Sequence, residues 1–264
     1  MPRGGRKLFP RYRLVGYSGG PGTAAFGRLG VGDIDARGRE IEKLGRSYDG
    51  DGRRILPVFE LVTVVAHPRP GPDGLYRGRI DDRVIQEYLD AARRHRALLL
   101  LNIQPGRADF LDEVKALEKW LREPDVGLAL DPEWAVGSGQ VPGRVFGSTT
   151  GAELRPVARW VKKLVAREDL PEKALVVHRL IPKVVRRPAG IGTHEGVAVI
   201  MSADGIGSRA QKESTWKRVV RDLPGSTHPG FKLFYEEDTE GGARLMKPSQ
   251  VMKLRPKPEY VLYE

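Results

Sequence analysis

The stretch Ala97-Leu-Leu-Leu-Leu-Asn-Ile-Gln104 decides the fold. Its apolar residues follow one another without polar alternation. That pattern describes a strand covered on both faces, as in parallel sheets, rather than the half-wetted strand of an antiparallel one. A parallel strand reaches its neighbour only through a crossover, most often a helix. Both flanks supply one. Asp81 to His95 carries Val84, Ile85, Tyr88, Leu89 and Ala92 on one helical face, behind a cap at Asp81 or Asp82, and Asp109 to Arg122 reads as the helix that follows.

Outward from this unit the alternation continues. Arg13-Leu-Val-Gly-Tyr-Ser18 is a first strand, followed by the Gly-rich loop Gly19-Gly-Pro-Gly-Thr23, and Asp33 to Leu44 has helical spacing. Ile55 to Val65 is a second strand, and the Pro- and Gly-rich run His67 to Gly78 is a loop. Beyond the third strand come Val126 to Leu130, the Gly/Pro loop Ala135 to Ser148, and a helix to Val165. Thr149 or Thr150 caps that helix, and Thr150-Gly-Ala-Glu153 fits a capping box. Strands follow at Ala174 to His178, Gly196 to Ser202, Gly230 to Tyr235 and Tyr260 to Tyr263, with helices at Ser208 to Val220 and Lys247 to Leu254. Eight strands, mostly separated by helices, in 264 residues predict a (β/α)8 TIM-type barrel. The chain is expected to be one domain over residues 1–264, with 1–10 a flexible N-terminal segment. A doubly wound sheet is the rival, but its G-x-G-x-x-G fingerprint is missing, and Gly19-Gly-Pro-Gly is too short and Pro-interrupted to hold a phosphate. No motif calls for a cofactor.

A barrel carries its chemistry at the C-terminal ends of its strands, and polar residues collect there. Tyr17-Ser18 ends strand one, Glu60 interrupts strand two, and Asn102-x-Gln104 ends strand three. Asp131-x-Glu133 and Trp134 end strand four, His178 ends strand five, and Ser202 and Asp204 follow strand six. Lys232, Tyr235 and Glu236 mark strand seven, and Tyr260 and Tyr263 strand eight. Side chains at i and i+2 of a strand share a face, so Asp131 and Glu133 should project together. Two close carboxylates repel, one keeps its proton near neutral pH, and such a pair suits glycoside hydrolysis. Glu133 is assigned as general acid and Asp131 as its electrostatic partner or base. Tyr17, Trp134 and Tyr235 are candidate sugar platforms. Asn102, Gln104 and His178 are candidate hydroxyl ligands, and Glu60 and Lys232 further candidates for substrate contact or mutual pairing.

Asp131-Pro-Glu133-Trp134 resembles the strand-four motif of barrel glycosidases of the family 25 lysozyme and family 18 chitinase kind, although Pro132 is unusual there and Tyr17-Ser18 stands where the lysozymes carry an Asp. Over its length the chain resembles a group of actinobacterial envelope-associated proteins of unassigned reaction, through Leu100 to Phe110, Leu128 to Trp134 and Gly230 to Glu237. That likeness implies an exported or cell-envelope setting, and the glycosidase reading adds a polysaccharide partner.

Composition bounds the remaining classes. There is no cysteine, so disulfides, thiolate metal sites and thiol catalysis are excluded. The net charge of +11 favours anionic envelope polymers, but no nucleic-acid-binding motif accompanies it. No apolar run reaches membrane-spanning length, and the N-terminus lacks the apolar core of a signal peptide. Two alternatives to a glycosidase stay open. One is metal-assisted hydrolysis of phosphate esters or amides through Glu60, Asp131, Glu133 and His178. The other is a non-catalytic polysaccharide-binding barrel.

Overall fold

A computed structural model describes residues 1–264. Eight parallel strands close on themselves: β1 (Tyr12–Gly19), β2 (Arg54–Ala66), β3 (Leu98–Ile103), β4 (Val126–Leu130), β5 (Lys173–Arg179), β6 (Val197–Ala203), β7 (His228–Leu233) and β8 (Tyr260–Tyr263). Each pairs with the next, and β8 returns to β1 with Val15 opposite Val261, so the sheet is a TIM-type barrel. The outer layer comprises α1 (Ile34–Arg46), α2 (Asp82–Arg94), α3 (Phe110–Ala116), α4 (Glu118–Leu121), α5 (Gly151–Arg167), α6 (Arg209–Arg221) and α7 (Pro248–Val251). Local chemistry sets their starts. Asp81 caps α2 by accepting from Arg83 N–H. At α5, Thr150 Oγ1 accepts from Glu153 N–H at 3.2 Å while Glu153 Oε2 accepts from Thr150 N–H at 2.7 Å, the reciprocal box the sequence foretells.

Several boundaries differ from the sequence expectation. The helix expected over Asp109 to Arg122 breaks at Leu117, whose φ/ψ of −94°/8° leaves the helical region. The Lys247 to Leu254 helix is one turn, and β7 ends at Leu233, which places Tyr235 in the loop beyond it. The N-terminal segment 1–10, expected to be flexible, is packed. Leu8 and Phe9 are buried against the bottom of the barrel, where Leu8 N–H donates to Glu172 Oε2. Two apolar residues in a basic stretch are too weak a pattern to predict such burial.

The interior of the barrel follows the two-residue period of its strands. Its lower part is apolar: Tyr12 and Leu14, Leu56 and Val58, Leu98 and Leu100, Ala129, Val176, Ile200 and Leu262 form one buried cluster with Leu8 and Phe9. Small residues make room for the large ones. A Cβ on Gly230 would stand 3.0 Å from the Tyr260 ring, and one on Gly127 would stand 2.8 Å from Leu100. One step further along each strand the same face turns polar, at Ser18, Glu60, Asn102, Asp131, His178, Ser202 and Lys232, all buried. The fold thus lifts one ring of polar side chains to the C-terminal mouth, above an apolar floor.

Candidate active site

His178 is the hub of this ring. Its Nδ1 lies 2.5 Å from Asp204 Oδ2, and Asp204 Oδ1 accepts from Ser202 Oγ at 2.5 Å. Its Nε2 lies 3.0 Å from Glu60 Oε1 and 3.9 Å from Asp131 Oδ1, without an aligned hydrogen bond to either. Glu60 is held further by Asn102 Nδ2 at 3.0 Å and by the Tyr260 hydroxyl at 2.5 Å. Lys232 Nζ binds Glu264 Oε2 at 2.5 Å, with Asp204 at 4.0 Å, and Ser18 Oγ donates to Glu264 at 2.9 Å.

Burial alone would neutralise these groups, but their mutual field decides otherwise. Burial pulls the His178 pKa down, yet Asp204, Glu60 and Asp131 together hold it well above 6.5, so the ring is an imidazolium. Burial likewise pushes Glu60 and Asp204 up, but His178 and Lys232 outweigh it and both carboxylates stay below their ordinary values. Asp131 falls on the other side. Burial, with Glu60 and Asp204 adding to it, raises its pKa to about 6 against the pull of His178 and Lys232. Glu133 is pushed well above the carboxylate range by burial and then by Asp131 and Asp204. Near neutral pH the pair therefore holds one proton, mainly on Glu133, and its titration belongs to both groups.

The route to this pairing differs from the expected one. Asp131 and Glu133 do not share a strand face, because β4 ends at Leu130 and Pro132–Trp134 forms a 3-10 turn. Pro132 suits the first position of such a turn, where its fixed φ fits and its missing N–H is not needed. Asp131 keeps the inward direction. Glu133 swings onto the wall of a pocket of about 250 Å³ that it shares with Trp134, Gly143, Arg144, Val145 and Phe146. Gly147 N–H donates to the Glu133 carbonyl at 2.6 Å, which pins the 143–146 loop over this turn.

The structure draws together Asp131, Glu133, Trp134, Asn102 and His178, with Glu60 and Lys232 behind them. Glu60 and His178 are sealed and mutually paired, and neither lines the pocket. The oxygen of Gln104 accepts from Ala66 N–H at 3.2 Å, which ties the end of β2 to β3. Tyr17 and Tyr235 stand apart from Trp134. Tyr235 OH donates to Tyr17 OH at 3.3 Å, and Tyr235 lines a second pocket of about 260 Å³ with Arg28 and Glu264. Asp204, Tyr260 and Glu264 belong to the network although sequence reasoning gave them no role. The signal was available, since counting on by two from Ser202 and from Leu262 reaches Asp204 and Glu264 on the inward face.

Three buried oxygens without a hydrogen bond lie here, Asn102 Oδ1, Asp131 Oδ1 and Glu133 Oε2, and His178 Nε2 faces Glu60 Oε1 at 3.0 Å without an aligned hydrogen bond. Buried polar groups in folded proteins are nearly always satisfied, so such a cluster marks a place for a ligand or water. No group of three His, Asp or Glu side chains is arranged to hold a metal ion. No helix is long and apolar enough to cross a membrane.

No protein-family model matches the chain, and no curated protein matches its sequence. Among solved structures it is similar to a hyperthermophilic endo-β-1,4-glucanase crystallised in complex with substrate. That likeness has a TM-score of 0.52 and 8% identity, and covers 98% of this chain and 89% of the other. At that identity the likeness is one of fold.

Proposed function

We propose that this protein is a glycoside-hydrolase-like enzyme acting on a cell-envelope or environmental polysaccharide, with Glu133 as general acid and Asp131 as base or nucleophile. The observation that carries the reading is the Asp131–Glu133 pair itself. Its two carboxyls have pKa values driven apart by their surroundings, each has an unpartnered oxygen, and it stands beside an aromatic-walled pocket. Divergent values within one carboxyl pair are how an acid and a base coexist at one pH. The proton on Glu133 serves the leaving oxygen, and ionised Asp131 serves the anomeric centre or a water beside it.

The charge of the ring supports the same chemistry. Two cations, His178 and Lys232, face four carboxylates, those of Glu60, Asp131, Asp204 and Glu264. The buried ring thus carries excess negative charge in a chain of net charge +11, with Arg144 the cation on the pocket wall. An acidic, water-poor cup favours the oxocarbenium-like charge that develops as a glycosidic bond breaks. Trp134 offers a flat face for a sugar ring, and the basic exterior suits anionic envelope polymers.

One observation favours the non-catalytic alternative. Of the pair, only Glu133 lines the pocket, and Asp131 is 5% exposed. The two readings separate in a reducing-end assay over a panel of β-glucans, chitin and peptidoglycan, run beside affinity electrophoresis. For a hydrolase, Glu133→Gln lowers turnover by a factor on the order of a hundred or more while binding survives. Binding without turnover by the unaltered protein on every polymer leaves the binder.

A further inference from the structure

Four large apolar side chains stand in solvent: Val31, Val145, Phe146 and Ile206, exposed by 38, 42, 68 and 44%. Three of them gather on the loops after β4 and β6. Phe146 is a wall of the Glu133–Trp134 pocket and also of a second, wider groove of about 580 Å³. That groove runs over Leu180, Ile181 and Ile206 to α6. Contiguous exposed apolar surface of this kind marks an interaction site, and here it continues directly from the candidate catalytic acid.

The polar side chains along the groove, Gln211, Ser214, Thr215 and Arg218, all come from one rim, α6. Gln211 Oε1 accepts from Ser208 N–H and Oγ–H, both at 2.8 Å, and Thr215 Oγ1 accepts from Arg218 at 3.3 Å. Leu180, Ile181 and Ile206 are aliphatic, and the one ring in the groove, Phe146, stands at its junction with the Glu133 pocket. A sugar laid on the aliphatic side would leave hydroxyls unpartnered there, whereas a hydrocarbon chain would not. The pocket next door has the opposite character, with unpartnered polar atoms beside an indole.

Resting on the hydrolase reading above, we propose that the site takes a glycan whose reducing end carries an apolar aglycone, an amphiphilic glycoside. Its sugar sits at Glu133 and Trp134, and its apolar aglycone passes Phe146 into the groove of Leu180, Ile181 and Ile206. The scissile bond then lies at the boundary between the two pockets, beside Glu133.

Titration calorimetry with n-butyl, n-hexyl and n-octyl β-glucosides, below their micellar concentrations, tests this. The expected result is an affinity that rises about two- to fourfold per added methylene, as partial to full burial of each would give. In the double variant Ile181→Ser/Ile206→Ser the series flattens, while the affinity for methyl β-glucoside, which has no chain to reach the groove, is kept. Both residues line the groove and not the Glu133 pocket, and a circular-dichroism melt checks that the variant folds. A flat series in the unaltered protein overturns the proposal. So does an equal gradient for alkyl chains on a zwitterionic, sugar-free head, which would mean adhesion alone. So does a dimer in light scattering that the double variant abolishes, which would mean that a second copy covers the groove. Failure of the two readings is distinguishable. Polysaccharide turnover with a flat series removes only the aglycone site, and a steep series without turnover of any glycoside removes only the catalysis.

Discussion

The phenol of Tyr260 donates to Oε2 of Glu60 at 2.5 Å, although the two residues lie 200 positions apart in the chain. The bond joins β8 to β2 across the barrel and is one of the contacts that let a carboxylate stay ionised where it is fully buried. Tyr260→Phe removes the donor and leaves the charge. The expected cost is roughly 1.5–3 kcal/mol, the worth of a hydrogen bond to a charged group. Urea unfolding reads it as a lower midpoint at unchanged slope. An unshifted midpoint would show that Glu60 does not depend on this donor.

His178 should remain protonated well above the usual imidazole range, because its carboxylate neighbours outweigh its burial. Nitrogen NMR of the labelled ring should show an imidazolium at pH 7.5. The same arrangement fixes a stability profile. The folded pKa of His178 is raised above 6.5, so its contribution is complete below that pH and is lost as pH rises through the folded value. Glu60 and Asp204 are lowered from 4.5 and 3.8, so theirs is present above those values and is lost as pH falls through the folded ones. Asp131 and Glu133 are raised, and their protonated forms favour the fold. Unfolding free energy should therefore peak on the acid side and decline from about pH 5 to about pH 8. A profile that climbs over that interval would contradict the charge states assigned here.

If the pair is catalytic, kcat/KM follows a bell in pH. Activity falls as pH drops below about 6, where Asp131 takes a proton. It falls again at high pH as Glu133 loses its own. Asp131→Asn should abolish the acid limb together with most of the rate. Initial rates across pH on the best polysaccharide of the panel measure both limbs, and a rate that keeps rising below pH 5 would reverse the assigned roles.

The loop over Glu133 depends on Gly147. A Cβ there would stand 2.2 Å from the Ala135 carbonyl oxygen, a contact that no side chain can accept. Gly147→Ala should push residues 143–146 off the Glu133 turn and weaken sugar binding by about tenfold, or ~1.4 kcal/mol, while the barrel stays folded. Affinity electrophoresis beside a thermal melt separates the two effects.

The barrel was readable because most of its strands are apolar runs, mostly separated by helical segments, and runs such as Ala97–Gln104 admit few other structures. The Asp131–Glu133 pair was readable for the same reason, as polarity placed abruptly after such a run. Its geometry was not, since Pro132 converts the expected strand end into a turn, and side-chain parity fails once the strand has ended. Asp204 and Glu264 lie just past the ends of β6 and β8, where apolar patterning has already stopped; Asp204 was noted there without a role, and only counting by two would have placed both on the inward face. The groove at Phe146 was out of reach altogether. Its walls come from three separate loops and α6, and no local pattern records which loops meet over a barrel mouth.

β8 lies between β7 and β1 and is the last strand to leave the ribosome. Until Tyr260–Tyr263 emerges, the nascent chain is an open sheet with two unpaired edges and an acid at Glu60 that lacks its phenol. Ring closure and the settling of the interior charges thus fall on the same four residues, and a messenger truncated only slightly short of them would yield a sticky, unclosed sheet in place of a slightly impaired barrel.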